Sequence, residues 1–177
     1  AYHLTSDHSM RVEATPVSAV SPVRTKLEGV DITDFRGIRR LRREDMLLSG
    51  NVVFIYGPNG VGKTSIADAV EWVMSGQVSR LERVSQRHGK DEPDPIINVF
   101  SENAEARVSC YLTGRDPIHR IKRGQTMEGL IGSRRPVGDR AIIDHVVGTK
   151  APSREARLRI EQLKDLLRSS HMLGQHD

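Results

Sequence analysis

The alternation of apolar and polar residues predicts a chain of short strands and three helices. Strand-like runs of β-branched and aromatic residues alternate with turn-forming residues along the first two thirds of the sequence. They fall at residues 27–37, 47–48, 52–56, 96–100, 106–112 and 118–123. Apolar residues at helical spacing begin after Gly62, after Gly138 and after Pro152. We therefore predict an α/β fold.

Residues 52–56 differ from the other strand-like runs because all five are apolar or aromatic. Such a run is typical of a strand that is covered on both faces at the centre of a sheet. The runs between 96 and 123 predict an antiparallel β meander beside that main sheet. Residues 39–45 are mostly charged and predict a solvated turn, and residues 124–138, with four glycines, predict a loop.

Two regions follow from this pattern. Residues 1–22 are rich in Ser, Thr and His and show no sustained period, which predicts a flexible tail. Residues 23–177 are long enough for one domain with its own core. The helix predicted at 63–75 ends before Gly76, the one at 139–147 ends before Gly148, and the third covers residues 153–168.

Composition narrows the class of protein. The 177 residues are 37% hydrophobic and 28% charged, which is an ordinary soluble balance. No apolar run approaches the length of a membrane span, so we expect a cytoplasmic protein without membrane contact. Cys110 is the single cysteine and lies within an apolar run, which predicts a buried thiol and excludes an internal disulfide.

The candidate chemistry lies directly after the apolar run 52–56. Residues 57–64 read Gly-Pro-Asn-Gly-Val-Gly-Lys-Thr and match the phosphate-binding pattern G-x-x-x-x-G-K-[ST] at every fixed position. Glycines allow successive backbone N–H groups to turn toward phosphates. Lys63 would reach the β- and γ-phosphates, Thr64 would offer its hydroxyl to Mg²⁺, and Ser65 would lie near the α-phosphate at the positive end of the helix.

Basic residues are concentrated in a later segment. Seven Lys/Arg and three acidic residues lie between Arg115 and Arg140, although the net charge of the whole chain is only +4. Such a segment is a candidate for contact with the phosphates of DNA, without dependence on base sequence. Our candidates are Arg120, Lys122 and Arg123.

Three features together resemble the N-terminal lobe of an ABC-type ATPase head of the SMC, RecN and SbcC-like DNA-repair family. They are the strand ending in Asp-Phe-Arg-Gly-Ile at residues 34–38, the loop from Gly57 to Ser65, and the Leu-Gly-Gln at residues 173–175. The resemblance covers about residues 25–177. It implies a P-loop NTPase fold that ends just after a Q-loop-like segment.

The resemblance also implies roles for individual residues. Lys63 and Gln175 would be catalytic, Thr64 and Gln175 would hold Mg²⁺, and Arg36 would lie beside the nucleotide. Either Arg80 or Arg83 would approach the nucleotide after the P-loop helix. The remaining ATP-binding residues would be Asn59, Gly60, Val61, Gly62, Lys63, Thr64 and Ser65.

The resemblance implies partners as well, because the sequence has no Walker B strand and no signature motif. The family keeps both in the C-terminal half of the head, which would complete this lobe. Two heads would engage through ATP as a homodimer and act on DNA. Two alternatives stay open, a small nucleotide or metabolite kinase with residues 115–140 as its lid, and a phosphate-binding scaffold that does not hydrolyse ATP.

Overall fold

A five-stranded sheet forms the frame of the molecule. The computed structural model describes residues 25–46, 48, 50, 52–81, 94–133 and 135–148. All neighbouring strands are antiparallel, in the order β2-β1-β3-β4-β5. The strands are β1 (Leu27–Phe35), β2 (Ile38–Leu41), β3 (Glu105–Leu112), β4 (Ile118–Arg123) and β5 (Thr126–Ile131).

Strand register places the apolar residues on one face of this sheet. Val30 of β1 lies opposite Cys110 of β3, and Cys110 lies opposite Ile118 of β4. All three side chains are fully buried, because residues directly opposite each other on neighbouring strands face the same side of the sheet. The Cys110 side chain has no exposed surface, so the predicted buried thiol is confirmed. This burial raises the pKa of the thiol to about 12.

Two helices cover the buried face of the sheet. Helix α1 (Lys63–Ser75) packs across β1, β3 and β4, and helix α2 (Asp139–Val147) packs against α1 and β5. Trp72 of α1 lies on Phe35 of β1, with ring centroids 5.2 Å apart. Each helix ends at a glycine with φ of 79°, Gly76 and Gly148. Both helices and both ends are as the sequence predicts.

The predicted strands at 27–37, 106–112 and 118–123 are confirmed, whereas three neighbouring predictions are wrong. Residues 124–138 contain β5, because a tight turn at Gly124 returns the chain to pair with β4. Residues 39–45 are not simply a turn, since Ile38–Leu41 pairs with β1 as an edge strand before a 3-10 turn at Arg43–Asp45. Residue 48 is buried but is not in a strand.

The run at 96–100 is also not a strand. Ile97 makes one isolated bridge to Phe35, and a turn follows at residues 99–100. Val99 and Phe100 therefore remain exposed, at 74% and 70%.

The central strand predicted at 52–56 is absent as well. Residues 53–58 have no regular secondary structure, and Phe54 and Tyr56 are 90% and 100% exposed. The prediction of a buried strand is wrong for this chain, because none of the five described strands pairs with the segment through backbone hydrogen bonds. The phosphate-loop segment is thus outside the sheet, although it leads directly into α1.

Several predictions fall outside the described residues. They concern the tail at 1–22, the helix at 153–168, Arg83 and Gln175.

Candidate phosphate-binding site

Two glycines give the loop before α1 its shape. Gly60 has φ of 84° and Gly62 has φ of 95°, both in the left-handed region that other residues adopt at a cost. Gly62 is the N-cap of α1 and, having no side chain, cannot cap the leading N–H groups; the first turn of the helix contains no acidic residue. Within the part of the chain that the structure describes, the leading N–H groups of α1 are therefore open to an anion.

Lys63 holds the loop closed on itself. Its Nζ atom donates to the carbonyl oxygens of Gly57 and Pro58, at 2.7 and 2.6 Å. An ammonium group at this loop can pair with phosphate oxygens. Thr64 is exposed, Ser65 is 8% exposed, and the other loop residues proposed to bind ATP, Asn59 to Val61, form an exposed turn.

The turn between β1 and β2 lies directly against the end of this loop. A Cβ atom built on Gly37 would be 3.7 Å from the Ser65 hydroxyl, and one built on Gly62 would be 3.1 Å from Cγ1 of Ile38. The residues in these two contacts are 28 and 24 positions apart in sequence. The contact brings Arg36, the residue before Gly37, to the side of α1.

Arg36 meets a buried carboxylate there. Its Nε lies 3.0 Å from Oδ2 of Asp68, and Nη2 of Arg80 donates to the same oxygen at 2.6 Å. The Asp68 side chain is fully buried, whereas those of Arg36 and Arg80 are 17% and 35% exposed. Burial lowers the pKa of Arg36, Asp68 raises it, and the charge of Arg80 lowers it again. The cluster therefore combines two cations with one anion.

Loop 94–98 fixes the backbone of Arg36. The N–H of Arg36 donates to the Ile96 carbonyl at 2.8 Å, and the Asn98 side-chain amide donates to the Arg36 carbonyl. Arg36 itself has φ of 51°. These contacts hold the arginine at one place beside α1.

Sequence reasoning identified Arg36 and considered Arg80, but it missed Asp68. An acidic residue four positions after Thr64, on a helix whose neighbouring residues are apolar, was the available signal. The structure brings Arg80 and Arg36 to the same oxygen of this carboxylate. Arg83 lies outside the described residues.

The three candidate DNA contacts do not form one open basic surface. Arg120 is 1% exposed, and its Nη1 lies 2.8 Å from Oδ1 of Asp139. Lys122 pairs with Asp94 at 2.8 Å, and Arg123 pairs with Glu105 at 2.6 Å. Arg120 has almost no surface to offer to a phosphate. DNA contact by Lys122 and Arg123 stays a prediction.

The outer face of the sheet carries polar side chains around a groove of about 750 Å³. Asp31, Ser109 and His119 lie in one row across β1, β3 and β4. His119 Nδ1 is 2.8 Å from the Ser109 hydroxyl oxygen. Burial is the largest cause that lowers the pKa of His119; Arg107 lowers it further and Asp31 opposes the shift.

Neither described helix has the length and apolar character needed to cross a bilayer. Within the same residues, no three His, Cys, Asp or Glu side chains cluster as ligands for a metal ion.

Comparison with known proteins gives a consistent family. A model of the family described as "AAA domain" matches residues 30–169. The DNA replication and repair protein RecF of Pseudarthrobacter chlorophenolicus is 27% identical over 119 residues, which are 66% of this chain and 27% of that protein. The chromosome partition protein Smc of Delftia acidovorans is 28% identical over 117 residues, which are 59% of this chain and 9% of that protein. The Smc of Methylococcus capsulatus is 35% identical over 81 residues, 46% of this chain and 6% of that protein.

These likenesses confirm the resemblance to the N-terminal region of SMC-like ABC ATPases that the sequence motifs indicate. The chain spans about a quarter of the RecF length and less than a tenth of the Smc length.

Proposed function

Because this chain belongs to the AAA domain family, we propose that it is the ATP-binding N-terminal lobe of an SMC/SbcC-like ATPase. ATP-driven engagement of two such heads would be coupled to DNA binding or repair. The observation that carries the proposal is the open N-terminus of α1, where Gly62 caps the helix without a side-chain bond and Lys63 follows it. Phosphates there would receive backbone N–H groups and an ammonium group.

The residues around the loop fit ATP and Mg²⁺. Gly60 and Gly62 adopt the left-handed conformations that a phosphate-cradling loop requires, and no acidic side chain lies in the first turn of α1 to repel phosphates. Thr64 is exposed at the start of α1, where its hydroxyl is a suitable Mg²⁺ ligand. Bound Mg²⁺ would neutralise phosphate charge. We propose Gln175 as a second ligand of this ion.

An apolar groove supports the proposal that a second half completes the head. The groove has a volume of about 430 Å³ and lies between β1, α1 and the segment before the loop. Its apolar lining includes Val53 and Ile55 from that segment, and Ile66 and Val70 from α1.

DNA is the proposed partner because two relatives carry names that refer to DNA replication and repair or to chromosome partition. Contacts would be made to phosphates by Lys122 and Arg123, after exchange of their present carboxylate partners. Binding of this kind falls steeply with salt.

The kinase alternative loses the feature that favoured it. Residues 115–140 were the candidate lid, but most of them form β4, β5 and the start of α2. These elements are integral to the sheet and its packing, so this segment does not have the character of a movable lid. The scaffold alternative is a protein that binds phosphates without hydrolysing ATP. Measurement of ATP hydrolysis by a complete head would distinguish it from the ATPase.

Titration of MgATP into the 177-residue chain, followed by calorimetry, tests the proposal. Lys63→Ala should abolish measurable binding, because the phosphate charge then lacks its main side-chain partner. Lys26→Ala is the matched control, since Lys26 is exposed at the other end of β1 from Arg36. Equal ATP affinity in Lys63→Ala and wild type would refute the assignment of the loop.

Turnover gives a second test of the same proposal. The isolated chain should hydrolyse ATP poorly, since it lacks Walker B carboxylates and a signature segment to position the water and stabilise the developing charge. Robust steady-state hydrolysis by the monomeric chain would contradict the assignment as one lobe of a composite head.

A further inference from the structure

The buried carboxylate of Asp68 forms ion pairs with two cations from different parts of the chain. Arg36 comes from the turn after β1, and Arg80 comes from the helical turn after α1. Both approach the same oxygen, Oδ2, at 3.0 and 2.6 Å. A buried carboxylate is tolerated when charged partners satisfy it. Within the described residues, two arginines therefore share one carboxylate oxygen.

These two arginines lie close to the phosphate loop. Asp68 follows Thr64 by four residues and Ser65 by three, so it lies on the same face of α1 as these residues, about one turn, or ~6 Å, beyond Thr64. The Gly37 contact to Ser65 brings the backbone next to Arg36 against the first turn. An anion at the end of α1 would meet this cluster on one side.

The two arginines need Asp68 to stay together. Guanidinium groups repel each other, and the charge of Arg80 already lowers the pKa of Arg36. Loop 94–98 fixes the backbone of Arg36, and the Pro95 carbonyl accepts from its Nη1 at 3.3 Å. Arg80 is more exposed and has Asp68 as its described ion-pair partner. Without the carboxylate, the Arg80 side chain would turn into solvent.

We propose that Asp68 is a positioning residue that holds the guanidinium groups of Arg36 and Arg80 beside the first turn of α1, so that the phosphates of ATP meet two cations already in place. Fixing long side chains before binding removes the cost of ordering them afterwards. This inference rests on the proposed function, because it concerns the same nucleotide site.

The decisive variant is Asp68→Asn, which keeps the shape of the side chain and removes its charge. We expect the Kd of MgATP to rise by about tenfold, as the loss of one charge-assisted contact implies. Asp139→Asn is the matched control. It also removes a carboxylate from a buried arginine, Arg120, but near the C-terminal end of α1. Its ATP affinity should equal that of the wild type.

A mutant cycle distinguishes a positioning role of Asp68 from a purely structural one. In a chain that already carries Arg36→Ala and Arg80→Ala, adding Asp68→Asn should change the ATP affinity by less than about twofold, because its effect passes through the two arginines. A further tenfold loss in that background would overturn the proposal. Wild-type affinity in Asp68→Asn alone would also overturn it.

Folding is checked by the circular dichroism of each variant. If Asp68→Asn does not fold, Arg80→Ala decides, since a side chain that is one-third exposed tolerates truncation. ATP affinity must then fall in Arg80→Ala, and an unchanged affinity overturns the inference. Absence of ATP binding by the wild type would refute the proposed function itself and this inference with it.

Discussion

Arg120 connects three elements of the fold from inside the core. It lies on β4, and its Nε and Nη2 donate to the Val73 carbonyl at 3.3 and 3.1 Å. Its Nη1 pairs with Asp139 at the start of α2. Val73 is in the last turn of α1, where carbonyl groups have no partner within the helix. Arg120 therefore acts as a cationic cap on α1.

Arg120→Met should destabilise the fold. An unsatisfied Val73 carbonyl costs about 1–3 kcal/mol, and loss of a cation from a helix C-terminus costs about 0.3–2 kcal/mol. Asp139 adds little, because it is 50% exposed and regains water. Methionine recovers some apolar packing, so we expect a net loss of about 2–4 kcal/mol in the free energy of unfolding. The corresponding fall in Tm is about 5–15 °C.

Urea denaturation followed by tryptophan fluorescence measures this loss. Trp72 is the single tryptophan and is 1% exposed, so its emission reports on the core next to Val73. Arg123→Met is the control on the same strand, since the Arg123 side chain is 52% exposed. A surface change of that kind stays within about 0.5 kcal/mol. If Arg120→Met is as stable as Arg123→Met, the argument from burial is wrong.

Three further predictions concern other parts of the fold. Gly62→Ala should lower the free energy of unfolding by about 1–2 kcal/mol, because alanine is strained at φ of 95° and its Cβ crowds Ile38. Gly138→Ala is the control, since Gly138 has φ of −75° and an added Cβ would meet no atom within 4 Å. In the same urea assay, Gly138→Ala should be neutral. Burial lowers the pKa of His119 below its usual 6.5, so the unfolded chain binds more protons than the folded chain. The free energy of unfolding should therefore fall as the pH drops through about 6.5. An equally steep dependence of that free energy on pH in His119→Gln would contradict this. Cys110, with a pKa raised to about 12 and no exposure, should react with a thiol reagent only after denaturation, and rapid labelling of the native chain would refute its burial.

The local patterns of the sequence determined much of the framework. Alternation predicted β1, β3 and β4, helical spacing predicted α1 and α2, and glycines predicted both helix ends. These features depend on residues close together in sequence, because side-chain period and backbone conformation are local properties. The phosphate-loop motif is local for the same reason.

Long-range pairing could not be predicted in the same way. The charged residues of β2 and the glycines of β5 carry little strand signal, and each strand forms because a neighbour offers hydrogen-bond partners. Residues 52–56 show the converse. Their composition is that of a central strand, but no described strand pairs with them, so the backbone remains irregular.

Some functional residues could likewise be predicted from local sequence, whereas others depend on tertiary contacts. The motif alone identified Lys63 and Thr64, since their spacing within one loop defines the chemistry. Only the tertiary structure brought Asp68 between Arg36 and Arg80, and only it placed Arg120 in the core rather than on a basic surface. The sequence shows that a residue is charged but not which partner it has or how far it is buried. The packing of distant segments decides both. It thereby decides whether the charged side chain is available to a ligand or stabilises the fold.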